Sequence, residues 1–211
     1  MKNTFFLSVA LFLFSAHICA QSNTGNDSNT RWKQNTVFKP GETSHGGYGA
    51  LTLRMGELND KSALMIGGKG AWVINHSLGI GLAGTGVMGI NEYDPNSSIH
   101  IGYAGGFGGF LIEPILFSDK LVHVSIPMIL GGGGVSRFVY NNNNYNYHGG
   151  NRYVAFGLFE PGIEIEFNMV SWFRISAGAY YAFRTEIDSY LLDTDILSPF
   201  SFGINFKFGS F

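Results

Sequence analysis

Acidic and basic side chains recur at even spacing through the second half of the chain. Glu160, Glu164 and Glu166 share one parity, and Arg174 and Arg184 follow on one parity of the next segment. Carboxylates beside ammonium or guanidinium groups can move protons, hold an ion, or neutralise one another in a dry interior. His123-Val124-Ser125 sets a possible base and nucleophile two residues apart. Gly79-Ile80-Gly81-Leu82-Ala83-Gly84 has the letters of a dinucleotide fingerprint. Glu186, Asp188, Asp193 and Asp195, with His148, could suggest a surface protease or a metal site.

Context weakens three of the four. A dinucleotide fingerprint needs a strand before it and a helix after it, but alternating segments flank residues 79–84 on both sides. The glycines read better as inward positions of a narrow barrel, or as relief of strain in it. The His123/Ser125 pair has no third group to orient the histidine. Its parity also turns it inward near the inner end, whereas lipid substrates arrive from outside. The loop acids repeat no ligand spacing, and loop carboxylates are normally solvated. The reading is therefore no catalytic residue, no metal ligand and no cofactor. What remains is the set of even-spaced charges, and these need elements to position them.

The clearest element is the end of the chain. Phe200, Phe202, Ile204, Phe206 and Phe208 fall on one parity; Ser201, Gly203, Asn205 and Lys207 fall on the other. This is a period-2 strand with an apolar and a polar face. Seven more such segments precede it, at about 47–56, 62–74, 77–90, 99–113, 121–139, 152–167 and 172–184. In the first three, Leu51, Leu53, Leu64, Ile66, Leu82 and Met88 oppose Thr52, Arg54, Met65, Lys69, Ala83 and Thr85. The fourth is glycine-rich and its parity is ambiguous, so a bulge is expected there. Thirty glycines argue against helices. Turns fall at 75–77, 114–120 and 168–171, and loops at 57–61, 91–98, 140–151 and 185–198.

The fold expected is all-β: an eight-stranded antiparallel up-and-down transmembrane β-barrel over 46–211, its shorter turns in the periplasm and its longer loops outside. Open sheet edges cannot be satisfied in lipid, so membrane-crossing strands must close. Trp72 and Trp172 lie at the turn ends, and Phe138, Tyr153, Phe183 and Phe200 at the loop ends, as two interfacial aromatic belts require. Arg54, Lys69, Glu160, Glu164, Glu166, Arg174, Arg184 and Lys207 all take the lumen parity. Buried charges must be paired, and an eight-stranded barrel is just wide enough for side chains to fill it. A plugged interior is favoured over a conducting pore, with Glu166 and Arg174 roughly opposite one another.

Residues 1–20 read as a cleaved secretory signal: Lys2, then an apolar core at 5–14 too short to span a bilayer, then Ala20. Cys19 lies inside it. Lipid anchoring through Cys19 is disfavoured because Ile18 occupies the place of a small residue. Residues 21–45 are a polar periplasmic leader. Without Lys2, the chain carries 12 basic against 15 acidic side chains, and no basic patch invites nucleic acid. Charged residues are 13% of the chain, half of what a soluble domain carries, which a lipid-facing surface explains.

The signal segment, the glycine-rich strands and the ending Asn205-Phe206-Lys207-Phe208-Gly209-Ser210-Phe211 resemble small outer-membrane β-barrel proteins of Gram-negative bacteria. The shape is similar to the eight-stranded OmpA-, OmpX- and OmpW-type barrels. Segments 46–49, 67–76 and 121–125 look closer to an uncharacterised family of such barrels. The resemblance implies fold and membrane rather than activity: the cell outer membrane, contact with its lipids and lipopolysaccharide, and barrel-assembly machinery during biogenesis. One departure stands out. Phe211 shares parity with Asn205, Lys207 and Gly209 rather than with the phenylalanine run. Either a bulge at Gly209–Ser210 restores the phase, or Phe208 is the recognised aromatic. A structural or surface-contact role is expected. The rivals are a narrow channel or lateral-diffusion route for small solutes, with a gap near Pro127 or Pro161, and a lipid hydrolase using His123 and Ser125.

Overall fold

The computed structural model describes residues 44–94, 99–141 and 152–211. The signal segment, the leader to residue 43, His148 and the loop tips at 95–98 and 142–151 lie outside the described residues. The strands are β1 His45–Leu58, β2 Lys61–Ile74, β3 Leu78–Asp94, β4 Ile99–Leu116, β5 Val122–Ser125, β6 Met128–Asn141, β7 Arg152–Val170, β8 Phe173–Tyr181, β9 Phe183–Tyr190 and β10 Phe200–Ser210. β5 with β6, and β8 with β9, are each one barrel strand interrupted once. All pairings are antiparallel, and β10 returns to β1 in register from Gly47↔Ser210 to Met55↔Phe202. The result is a closed eight-stranded up-and-down barrel without a free edge around its wall.

Alternation along each strand decides the two faces. Leu53, Ile66, Leu82, Met88, Ile165 and Phe202 point outward, from 38% to 69% exposed. Thr52, Met65, Thr85, Ser176 and Asn205, on the opposite parity, are buried. An apolar outer wall around a filled interior is the form in which strands cross a membrane.

Turn chemistry fixes the hairpins. Asn59 and Asp60 join β1 to β2 with φ of 54° and 57°, and Asn75 and His76 begin the β2–β3 turn with 51° and 53°. Two successive residues in the left-handed region suit the twist of a hairpin, and Asn and Asp tolerate that region best. Glycine serves a different need where β4 meets β6. A Cβ on Gly109 would sit 2.6 Å from the Cα of Gly131, so the two backbones approach at a distance that leaves no room for side chains.

Several expectations are corrected. Irregularities lie in β3 between Gly89 and Glu92, in β7 between Asn168 and Val170, and in β9 at Ile187, and not in β4, which pairs with β6 in unbroken register. The first part of the segment expected as a loop at 185–198 is strand: β9 pairs with β7 from Phe159↔Phe183 to Tyr153↔Tyr190, giving β7 a partner above the rim. No bulge occurs at Gly209–Ser210; the register with β1 runs straight through. No gap opens at the prolines either. Met128↔Pro161 and Ser125↔Glu164 are in step, Ile126 N–H donates to the Pro114 carbonyl at 2.9 Å, and Gly162 N–H donates to the Pro127 carbonyl at 2.7 Å. Proline removes a donor from the ladder here without displacing the chain.

Candidate functional site

Buried apolar side chains run the length of the barrel interior, with Ala71, Val73 and Ile115 toward the turn end. Toward the loop end the interior is apolar: Leu58, Met65, Val135, Val154, Phe156 and Leu197 are buried together. The chain after β9 completes this layer. Leu197 bridges to Leu58, Asn59 N–H donates to the Ile196 carbonyl at 2.6 Å, and Ser198 N–H donates to the Glu57 carbonyl at 2.9 Å. Arg184, half-buried beneath, donates to the carbonyls of Leu197 at 2.6 Å and Ser198 at 2.9 Å. Its guanidinium ties down the covering segment instead of meeting a carboxylate.

Below lies an ionic layer contributed by six strands. Lys207 of β10 reaches Glu113 at 2.7 Å and Glu164 at 3.2 Å, and it also donates to Glu166. Lys69 of β2 meets Glu164 at 2.6 Å and Glu113 at 3.1 Å. Arg54 of β1 pairs with Glu160 at 2.6 Å and stacks 3.6 Å over the Tyr180 ring. The Tyr180 and Ser176 hydroxyls each donate to Glu164 at 2.8 Å, and the Tyr48 hydroxyl donates to Glu113. The buried charges described here balance: Arg54, Lys69, Arg174 and Lys207 against Glu113, Glu160, Glu164 and Glu166. In low dielectric such charges must be matched, because each is costly alone.

Glu166 and Arg174 form an ion pair, although they do not stand opposite one another on the ladder. Across the β7–β8 ladder Glu166 faces Ser176, and Arg174 faces Asn168. The Arg174–Glu166 separation is 3.7 Å, whereas His123 Nε2 lies 3.1 Å from Glu166. Arg174 also stacks 3.8 Å over the ring of Phe211, which lies against Tyr48 at 5.8 Å between centroids. Phe211 follows the parity of Lys207 and turns into the turn-end mouth. Phe208 points outward and packs on Phe173 at 4.9 Å and Trp172 at 6.3 Å.

Glu113 is the partner that composition and spacing do not reveal. It sits in glycine-rich β4, is fully buried, and accepts from both lysines. Glu113, Glu164 and Glu166 bring oxygens within 4.8 Å of one another, close enough for a metal ion. The Lys69 and Lys207 ammonium groups already supply the positive charge there. His123 and Ser125 are 2% and 0% exposed on the interior face, so they cannot meet a lipid at the outer wall. A groove of about 710 Å³ does open on that wall, with Ala177 and Ala179 between larger residues such as Leu53 and Ile165. No catalytic group lines it, and Arg54, which touches it, is engaged by Glu160.

The remaining aromatics occupy two levels. Trp72 and Trp172 are 53% and 59% exposed at the turn end, where His45 stacks on Trp72 at 5.2 Å. Tyr153, Phe183 and Phe200 are exposed at the loop end, and Phe138 is half-buried on the outward parity.

Strands and interior together define an antiparallel eight-stranded barrel with an apolar wall and an ion-paired filling. No protein-family model matches the chain, and no curated protein matches it. Among solved structures it is similar to Neisserial surface protein A, at 10% identity over 80% of this chain and 98% of that one, with a TM-score of 0.47. It is also similar to the Yersinia pestis outer membrane protein Ail, at 14% identity over 79% of this chain and 99% of that one, TM-score 0.44. A major outer membrane protein from Thermus thermophilus is similar at 10% identity over 77% and 98%, TM-score 0.42.

Proposed function

We propose that this chain is an outer-membrane β-barrel, exported by a cleaved signal at 1–20, whose interior is closed and whose role is structural or one of surface contact. One observation carries the reading: an apolar layer capped by Leu58 and Leu197 lies directly above a balanced ionic layer. Water has no polar path through the first, and the second binds its own charges. The outer wall then contacts membrane lipids and lipopolysaccharide. Trp72 and Trp172 sit in one interface, and Phe138, Tyr153, Phe183 and Phe200 in the other. Assembly machinery that folds such barrels is the partner during biogenesis, with Phe208 as the outward terminal aromatic available to it.

Orientation is tested with epitope tags. A tag within 141–148 is expected to be reached by antibody on intact cells, and one at 75–76 only after permeabilisation. Protection of the 141–148 tag on intact cells would reverse the topology. A channel or lateral-diffusion route is the competing reading, and conductance separates it.

A further inference from the structure

Two cations at the loop end stand directly opposite one another. Arg137 of β6 pairs with Arg152 of β7 across the ladder, and Tyr103 of β4 pairs with Arg137 from the other side. Residues opposite one another share a face of the sheet. That face is the inner one. Tyr103 packs against the buried apolar side chains, and Val135 and Val154, two residues from Arg137 and Arg152 in unbroken register, are buried. Arg137 is half-buried and Arg152 exposed, so the row lies at the barrel mouth with apolar side chains beneath it.

Like charges directly opposite are unfavourable across a strand pair. Elsewhere the chain matches its arginines: Arg54 holds Glu160, Arg174 holds Glu166, and Arg184 donates to two carbonyls. Arg137 and Arg152 have no acceptor among the described residues. Residues 138–151, which connect them, contain no Asp or Glu. On neighbouring β9, Asp188 accepts from Tyr153 and Glu186 from Ser189. The pair therefore suits an anion carried by another molecule. Guanidinium forks match phosphate oxygens two at a time, and a tyrosine hydroxyl is a further donor. A phosphate monoester carries about −1.5 to −2 charge at pH 7, which matches two cations better than a carboxylate or a sulfate ester does.

We propose that Arg137 and Arg152, with Tyr103 beside them on the same face, form a binding site for a phosphate monoester at the loop-end mouth of the barrel. This deepens the surface-contact reading and rests on it for the side of the membrane from which the ligand comes. The row faces inward and not toward the wall, so a soluble phosphorylated saccharide reaches it more directly than a headgroup in the surrounding lipid. The apolar side chains beneath hold the ligand at the mouth, and binding there needs no channel.

The test titrates the full barrel, in phosphatidylcholine nanodiscs, with glucose 6-phosphate, glucose 6-sulfate and glucose by calorimetry. The phosphate is expected to bind saturably, the sulfate more weakly, and glucose not at all. Arg137→Gln and Arg152→Gln, each shown to be folded by heat-modifiable gel mobility, should weaken phosphate binding by roughly tenfold or more. Without ligand, the unfolding midpoint of Arg152→Gln should be no lower than the parent's, because the change removes a like-charge contact. A lowered midpoint would mark the exposed arginine as structural and overturn the site. No saturable binding, equal binding of the sulfate, or phosphate binding that survives both substitutions would overturn it as well. Nanodiscs doped with phosphatidic acid, a lipid phosphate monoester, decide the source. Unchanged glucose 6-phosphate affinity leaves the soluble ligand, and competition assigns the lipid headgroup. The tag within 141–148 keeps the two readings apart. Phosphate binding by a barrel whose tag is protected on intact cells defeats the surface reading alone. An accessible tag on a barrel that binds no phosphate defeats this site alone.

Discussion

Lys207→Met is expected to cost about 3–5 kcal/mol of barrel stability, the usual consequence of removing one partner from a buried ionic cluster. The Lys207 ammonium group is 2.7 Å from Glu113 and 3.2 Å from Glu164 and also holds Glu166, while Lys69 reaches only the first two. Methionine keeps much of the volume and removes the charge, so three carboxylates are left with one lysine among them. Urea unfolding of the barrel refolded in lipid vesicles, followed by tryptophan fluorescence, measures the loss. Glu166→Ala tests the cluster from the acidic side and should likewise be costly. The double variant should cost less than the two single costs added, since the charge that each change strands is absent from the other. In a wet interior water would screen the site, and Lys207→Met would cost about 1 kcal/mol or less. That result would contradict a dry interior.

The outer wall makes the opposite demand. Ile66 and Ile165 are 53% and 49% exposed on β2 and β7. Placing Arg at either is expected to destabilise the barrel by about 2–4 kcal/mol if the site lies near the bilayer midplane. Thr85→Ser on the interior face keeps the hydroxyl and loses one methyl, so it should cost no more than about 1 kcal/mol. Refolding yield and unfolding midpoint in the same vesicles report both. Arg variants as stable as the parent would mean that these faces do not meet lipid.

Period-2 alternation made the faces readable in advance because it is strong where one side is greasy and the other polar. Lys69 and Ile66 on β2, or Glu164 and Ile165 on β7, leave one assignment only. The same logic fails where a strand has no amphipathic contrast. Glycine presents no face, so β4 hides the direction of Glu113 until its neighbours fix the register. β9 is exposed on both sides, so its polar residues look like a loop, and only pairing with β7 makes them a strand. The apolar upper layer is obscured for a related reason: Val154, Phe156 and Leu158 alternate with Ala155, Gly157 and Phe159, and a nearly continuous apolar run carries no phase. The odd phase of Phe211 is visible in the sequence. Its destination, against Arg174 and Tyr48, depends on β10 continuing through Gly209 without a bulge, and spacing alone does not decide that.

Single-channel recording in planar bilayers tests the closed interior most directly. On the proposed closed interior, with buried apolar side chains such as Leu58 and Leu197 beside the ion-paired groups, the purified, folded barrel should insert without giving a steady conductance step. Stable, stepwise openings from the parent protein would contradict the account and favour a channel.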